Sequence, residues 1–394
     1  MTELNTNASP ALANVATPDA AQTDSAHKAR FGHLDGLRAV AVLLVVVAHA
    51  GLGDVVPGGS GVTIFFAISG FIITHLLIRE RRKTGGFAIV GFYRRRLVKL
   101  APPVIAVVLI PTIVYAFFGT VNPWAVVSQL AFAYNWVHIY SSADHVLPGS
   151  QVLWSLAIEE QFYLLFAPLW VFLIRGRTPL KWVAYVAGLV VVASICAKLA
   201  VVLAPGPKEV LSAGSSNRRI YYGSDTRADA LAIGVLAAVL QDWWTSREAN
   251  GIPIGRLQSL VANPAAPIAA IVLFLLTLVY RDPFFRDVFR YGLQALATAV
   301  VILHGLQRTP SDTGLFSRFE RSRALQTVGL ASYSIYIVHF SLRAALEPLV
   351  EQAPAAVEVV VYIVVSVAAG YAAYRWIETP FQRFKYPRRG EIKA

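Results

Sequence analysis

The chain has 394 residues, of which 56% are hydrophobic and 15% charged, and its mean hydropathy is +0.55. This composition excludes a soluble globular domain and indicates a multi-pass membrane protein. The net charge of +12 does not indicate nucleic acid as a partner, because cytoplasmic Lys and Arg residues of a membrane protein give the same total. The single cysteine, Cys196, excludes disulfides within the chain and thiolate metal clusters.

Residues 1–30 are rich in Ala, Thr, Asn, Asp and Pro and show no periodicity. They predict a disordered cytoplasmic tail rather than a signal peptide. Apolar segments that are long enough, or nearly long enough, to span a bilayer then recur along the chain. They lie near residues 34–52, 60–78, 100–118, 151–174, 181–204, 228–241, 265–280, 289–305, 325–349 and 355–377. The aromatic, His-containing segment Trp124–Tyr140 is predicted to be interfacial or re-entrant instead.

Ten spans that start from a cytoplasmic N-terminus place most of the Lys and Arg residues on the cytoplasmic side, in agreement with the positive-inside rule. We therefore predict an all-α integral membrane protein, a bundle of about ten transmembrane helices with both termini in the cytoplasm. The membrane domain covers residues 31–383, and a basic cytoplasmic tail covers 384–394.

The first span reads LDGLRAVAVLLVVVAH and has Asp35 near its start, and its other two ionisable residues are Arg38 and His49. Eleven steps of 100° put both side chains on one helix face, about 16 Å apart along the axis. Ionisable groups inside a bilayer are costly and usually serve a function. The alternative is a His that is packed and hydrogen-bonded in the bundle.

A basic cluster, Arg94, Arg95, Arg96 and Lys99, precedes the third span. Such clusters commonly fix topology or contact anionic membrane lipid. The functional alternative is a phosphate-binding site, because guanidinium groups bind phosphate oxygens through two parallel hydrogen bonds. The phosphates of a CoA thioester would approach from this side.

The fourth predicted span opens with WSLAIEEQFYLL, in which Glu159 and Tyr163 share a helix face. Two interpretations of Glu159 remain open. It forms an ion pair with Arg38 or Arg96, or it orients a catalytic His. In the second span, Gly61, Ser69 and Gly70 predict close helix packing.

Two further stretches carry polar residues at span ends or within spans. SDTRADALAIG places Arg227 and Asp229 at the outer end of the short sixth span. They form a local helix cap or an ion pair, or they contact a polar acceptor substrate that enters from outside. SYSIYIVHF sets Tyr336 and His339 three residues apart, where their polar atoms need partners.

Taken together, these stretches resemble the bacterial acyltransferase-3 family of multispan membrane O-acyltransferases. The resemblance covers about Phe31 to Arg383 and follows the order LDGLRA with a His eleven residues after the Arg, FFAISGFIIT, FYRRRLVKLAPP, WSLAIEEQFY, TRADALAIG, SYSIYIVH and IETP. One departure is Lys99, which stands where the family usually has Arg and weakens bidentate phosphate binding. Unlike some family members, the chain is expected to be the stand-alone form, without a fused C-terminal hydrolase-like domain.

The resemblance implies His49 as the catalytic base beside Arg38, with Arg96 and Lys99 as paired cations. It also implies that a further set of polar residues surrounds the site, namely Glu159, Tyr163, Arg227, Asp229 and His339. Glu159 is expected to orient His49 or stabilise its imidazolium. Ser69, Tyr163 and His49 remain open as carriers of a covalent acyl group.

The implied activity is transfer of an acyl group, acetyl by family frequency, from cytoplasmic acyl-CoA to a sugar hydroxyl. The acceptor is a surface or lipid-linked glycan or a glycosylated small molecule, and the location is the inner membrane of a bacterium. No metal is expected, because the His residues lack ligand spacing. The alternative is a proton-coupled transporter or flippase that uses intramembrane His and Glu as a relay, although no internal repeat is visible.

Overall fold

The structure, a computed structural model, describes residues 31–141, 145–174, 179–204, 217–308, 313–350 and 352–385. The predicted tails, residues 1–30 and 386–394, lie outside the described residues. From Gly32 onward the chain forms one unit built of helices.

The first half of the chain contains eight helices within the described ranges. They are α1 (Gly32–Val47), α2 (Gly58–Thr84), α3 (Ile89–Val104), α4 (Ile110–Tyr115), α5 (Pro123–Leu130), α6 (Tyr134–Tyr140), α7 (Leu153–Leu173) and α8 (Lys181–Leu203). The π-helical turn Ile105–Leu109 follows Pro102 and Pro103 and joins α3 to α4, so that Ile89–Tyr115 forms one helical segment.

The second half continues the helical pattern. Its helices are α9 (Arg218–Tyr222), α10 (Ser224–Ala249), α11 (Arg256–Ala262), α12 (Ala265–Val279), α13 (Pro283–Val288), α14 (Arg290–Leu306), α15 (Leu315–Arg321), α16 (Arg323–Val350), α17 (Ala355–Ala373) and α18 (Thr379–Phe381).

Six of the helical segments described are long and apolar enough to cross a membrane. They are Gly32–Leu52, Gly58–Thr84, Ile89–Tyr115, Ser150–Leu173, Lys181–Leu203 and Ala355–Phe384. The pair α11 and α12, bent by 79°, makes a seventh if it is counted as one span. The other three predicted spans also coincide with helices, α10, α14 and α16, but α14 has only 17 residues and the other two carry more polar side chains. The ten-span count and the cytoplasmic termini therefore stay predictions.

The segment Trp124–Tyr140 contains two short helices, α5 and α6, instead of one continuous helix. The chain breaks between them at Phe132, whose φ is 55°. Because neither helix is long enough to span, this agrees with the prediction of an interfacial or re-entrant piece.

Helices α2 and α10 cross with their backbones in close contact. A Cβ added at Gly70 would lie 2.0 Å from the carbonyl oxygen of Leu231, and one at Gly234 would lie 2.1 Å from that of Ala67. Only glycine fits at such distances, so the two backbones touch at this point. This confirms the packing role predicted for Gly70, whereas the hydroxyl of Ser69 has a polar partner in the site.

Four long helices, α1, α2, α7 and α16, place most of the functional residues. The first helix, α1, packs against both α2 and α16, and α16 also packs against α17. The start of α7 contributes residues to the same interior, and Phe66, Trp154, Tyr336 and their neighbours form the largest apolar cluster there. Polar side chains from α1, α2, α7 and α16 therefore meet within one core.

Candidate active site

His49 lies just beyond α1, in a π-helical turn that covers Ala48–Leu52 and contains Gly51 with a φ of 98°. His339 lies in the middle of α16 and is fully buried. The Nδ1 atom of His49 is 3.0 Å from the Nε2 atom of His339. The two residues are 290 positions apart in sequence and form one hydrogen-bonded pair.

The tautomers of the pair follow from the next hydrogen bond. The Nδ1 atom of His339 lies 2.6 Å from the carbonyl oxygen of Tyr336. Because a carbonyl oxygen only accepts, Nδ1 of a neutral His339 carries the proton and its Nε2 accepts from His49. The Nε2 atom of His49 then keeps its lone pair, as a general base requires.

A cavity of about 80 Å³ adjoins His49 and is called the His49 cavity. Among the aromatic side chains that line it, Trp154, Tyr221 and Tyr222 form a cluster in which the ring centroids lie 4.9 Å from one another. Gln151 lines it too, and its buried Oε1 atom has no hydrogen-bond partner among the described residues. The cavity therefore combines apolar ring surfaces, an unused acceptor atom and a base.

A second cavity of about 50 Å³, the Arg38 cavity, lies on the other side of Tyr336. Glu159 and Ser69 both line it, and the carboxylate of Glu159 accepts hydrogen bonds from Ser69 Oγ at 3.1 Å and Tyr163 Oη at 3.4 Å. Arg38, Arg96 and Lys99 all lie within electrostatic reach of this carboxylate. Within the described ranges, the predicted ion pair to Arg38 or Arg96 is not formed, because the carboxylate of Glu159 is hydrogen-bonded to Ser69 and Tyr163 instead.

Two residues, Val62 and Tyr336, line both cavities and form the wall between them. The hydroxyl of Tyr336 is 2.7 Å from Ser155 Oγ and 3.2 Å from the carbonyl oxygen of Val152, which fixes the ring across the gap. Arg38 lines one of the two neighbouring cavities and His49 lines the other. This agrees with the prediction that both side chains lie on one face of the first helix.

The expected contact between Glu159 and His49 needs correction. In the described part of the chain, the side chain bonded to the ring of His49 is His339, and the carboxylate of Glu159 is bonded to Ser69 and Tyr163. Glu159 belongs to the Arg38 cavity and His49 to the other, so His339, rather than Glu159, orients the His49 ring.

The predicted phosphate-binding cluster divides into separate environments. Arg95 pairs with Glu80 at 3.1 Å. Arg94 and Arg96 instead line a third, larger cavity between α3 and α7, called the α3–α7 cavity. The four basic side chains therefore do not form a single cradle.

Arg96 and Lys99 also face aromatic rings near Glu159. The guanidinium carbon of Arg96 lies 4.6 Å from the centroid of the Tyr163 ring, and the ammonium of Lys99 lies 5.9 Å from that of Tyr333. Arg96 and Lys99 thus face the interior together, as their three-residue spacing predicts.

Arg227 and Asp229 have separate partners. Arg227 donates to Thr63 Oγ1 at 2.8 Å and lies 3.6 Å from the centroid of the Tyr291 ring. Asp229 forms a buried ion pair with Lys198 of α8. Side chains two positions apart on a helix point about 200° apart, which separates the two. Neither lines the His49 or the Arg38 cavity, so the predicted contact with an acceptor has no geometric support.

The comparisons with known proteins give the family. Residues 31–375 match the family model described as an acyltransferase domain, Acyl_transf_3. The chain belongs to the acyltransferase-3 family. No solved structure matches this acyltransferase-3 chain.

Among curated relatives, the peptidoglycan O-acetyltransferase OatA of Listeria monocytogenes serovar 1/2a is 29% identical over 364 residues, covering 89% of this chain and 55% of that protein. The O-acetyltransferase OatA of Staphylococcus aureus strain NCTC 8325 is 28% identical over 362 residues, covering 89% of this chain and 57% of that protein. The acyltransferase-3 chain therefore spans little more than half the length of these relatives.

Sequence reasoning missed four contributors to this acyltransferase-3 site and its support. Gln151 lines the His49 cavity, Ser155 holds Tyr336, Arg343 donates to the carbonyl of His49, and Lys198 pairs with Asp229. Of these four, only Lys198 could have been identified from the sequence, because a Lys within an apolar span needs a buried Asp or Glu as a partner. Among the residues described, no group of three His, Cys, Asp or Glu side chains could hold a metal ion.

Proposed function

We propose that the chain is an acyl-CoA-dependent O-acyltransferase in which His49 is the general base. The observation that carries the proposal is the His49–His339 pair, which leaves the Nε2 lone pair of His49 beside a cavity. The family and the relatives named O-acetyltransferases support the class of reaction and make acetyl the default acyl group.

The donor is proposed to approach from the cytoplasm, at the end of the bundle where Arg94, Arg96 and Lys99 lie. Guanidinium groups bind phosphate oxygens well, so Arg94 and Arg96 suit the phosphates of CoA. The thioester carbonyl would then lie in or near the Arg38 cavity. There the Arg38 guanidinium would stabilise the negative charge that develops on the carbonyl oxygen during the reaction.

The acceptor is proposed to enter the His49 cavity from the opposite side. Trp154, Tyr221 and Tyr222 offer ring faces on which the C–H face of a sugar packs. One relative is named a peptidoglycan O-acetyltransferase, and peptidoglycan is a glycan. A sugar hydroxyl on a surface or lipid-linked glycan is therefore the proposed acceptor, at the inner membrane of a bacterium.

In the proposed step, the acceptor hydroxyl oxygen attacks the thioester carbonyl carbon while its proton passes to His49 Nε2. The C–S bond breaks, the new C–O ester bond forms, and the CoA thiolate leaves and is protonated. The positive charge formed on His49 is stabilised because its Nδ1–H donates to His339. Tyr336, at the wall between the cavities, must move for the two reacting atoms to meet.

The test is transfer of radiolabel from acetyl-CoA in membranes that contain the wild type, His49→Ala or His75→Ala. His75 is the matched control, because it stacks on Phe71 and lines neither cavity. We expect label in a glycan fraction with the wild type and the control, and a loss of about 100-fold or more with His49→Ala.

Equal labelling with His49→Ala would remove His49 as the base. Substrate counterflow in proteoliposomes without acyl-CoA, together with no acyl transfer, would favour the transporter alternative. Either result would overturn the proposal.

A further inference from the structure

The α3–α7 cavity has a volume of about 740 Å³, about nine times that of the His49 cavity at 80 Å³. Its wall is mainly aliphatic, with side chains from both helices, among them Leu97, Leu100, Val104, Leu109, Leu153 and Leu164. The charged side chains that line it are Arg94, Arg96 and Glu160. A small polar substrate has no use for so much apolar wall.

The charges and the apolar wall occupy different parts of the cavity. Arg94 and Arg96 lie near the N-terminal end of α3, whereas Leu109 is at the far end of the π-helical turn that follows it. The twelve steps from Leu97 to Leu109 rise by about 18 Å along a helix. An occupant that fits carries phosphate at one end and a long aliphatic chain at the other.

The cavity lies next to the Arg38 cavity of the proposed reaction site. Leu156 and Tyr333 line both the α3–α7 cavity and the Arg38 cavity that contains Glu159. A donor with its phosphates at Arg94 and Arg96 therefore has its thioester within reach of the Arg38 cavity and apolar space beyond.

We propose that the α3–α7 cavity holds the aliphatic chain of an acyl-CoA longer than acetyl, so that this enzyme transfers medium or long acyl chains as well as acetyl. The inference rests on the proposed function, which it deepens by naming the class of donor. Each methylene moved from water into the cavity tightens donor binding up to about fourfold.

The experiment compares acetyl-, octanoyl- and palmitoyl-CoA as ligands and as acyl donors of the purified protein. Leu100→Trp fills the cavity from α3, and Leu97→Trp does so from a position that is 64% exposed and tolerates a larger side chain. The matched control is Ile110→Trp, which adds the same ring on α4 at an exposed position outside the cavity lining.

We expect the affinity of the wild type to rise with chain length and octanoyl or palmitoyl transfer to be measurable. Leu100→Trp and Leu97→Trp should lower the ratio of palmitoyl to acetyl transfer at least tenfold, and Ile110→Trp should leave it unchanged. Acetyl transfer with no preference for longer chains, or a ratio that falls equally in the control, would overturn this inference alone. Absence of transfer from every donor would overturn the proposed function as well.

Discussion

At the scale of single residues, the site depends on the proton positions of two imidazole rings. A backbone carbonyl accepts the proton of His339 Nδ1, and this fixes the direction of the hydrogen bond to His49. His339 is therefore a positioning residue, because it holds the base without touching substrate in the proposed step.

Replacing His339 tests this role. His339→Ala removes the acceptor for His49 Nδ1–H, so kcat should fall about 100-fold while the KM for acyl-CoA stays within twofold. His339→Gln, whose amide can donate to Tyr336 and accept from His49, should retain more of the activity. Steady-state kinetics with purified protein measures both parameters. A normal kcat in His339→Ala would contradict the positioning role.

Gln151 offers a second test at the same scale. Its buried Oε1 atom has no partner among the described residues and adjoins the aromatic rings of the His49 cavity. If an O–H or N–H group of the acceptor substrate donates a hydrogen bond to this atom, Gln151→Leu should raise the KM for the acceptor substrate about tenfold. The KM for acyl-CoA should stay unchanged. Gln151→Glu keeps an acceptor oxygen and should lose less. An equal rise in both KM values would point to misfolding instead.

At the scale of helices, glycine contacts set the distance between α2 and α10. Gly70→Ala would bring a methyl group to 2.0 Å from a backbone oxygen and push the helices apart. We expect the melting temperature of the purified protein to fall by several degrees. Gly188→Ala, on α8 with nothing within 4 Å of the added Cβ, is the control and should match or slightly exceed the wild type. Equal melting temperatures for all three proteins would refute the close crossing.

The buried pair of Lys198 and Asp229 joins α8 to α10. Lys198→Met leaves an unpaired buried carboxylate, which costs about 3–5 kcal/mol in comparable sites. The double variant Lys198→Met/Asp229→Leu removes both charges and should recover much of the lost thermal stability. Melting temperatures of the single and double variants measure this coupling, and additive losses would show that the pair is not coupled.

Sequence patterns predicted the elements better than their contacts. Each of the ten apolar segments lies in a helix, and Arg38, Glu159, Tyr336 and His49 all reach the predicted interior. The pairing of His49 with His339 was not predictable, because it depends on how α1 packs against α16. The separation of Arg227 from Asp229 follows from helix periodicity alone and could have been deduced.

At the scale of the whole molecule, the number of spans determines which loops lie on the same side of the membrane. Ten spans put the turns at Gly86 and Gly251 in the cytoplasm and the turn at Asp282 outside. Cysteines placed at these positions after Cys196→Ala should react with an impermeant thiol reagent in intact cells only at Asp282, since the natural chain has one cysteine. Labelling of the Gly251 position from outside would refute the ten-span arrangement.

The wall formed by Val62 and Tyr336 has a consequence for the membrane as an electrical insulator. Energy-storing membranes hold a difference of proton concentration and voltage, and a continuous water path through a helix bundle would discharge it. With the wall closed, the His49 and Arg38 cavities remain two separate pools of polar atoms. In the proposed transfer Tyr336 moves while the two substrates fill the cavities, so the step need not open a continuous water path through the bundle.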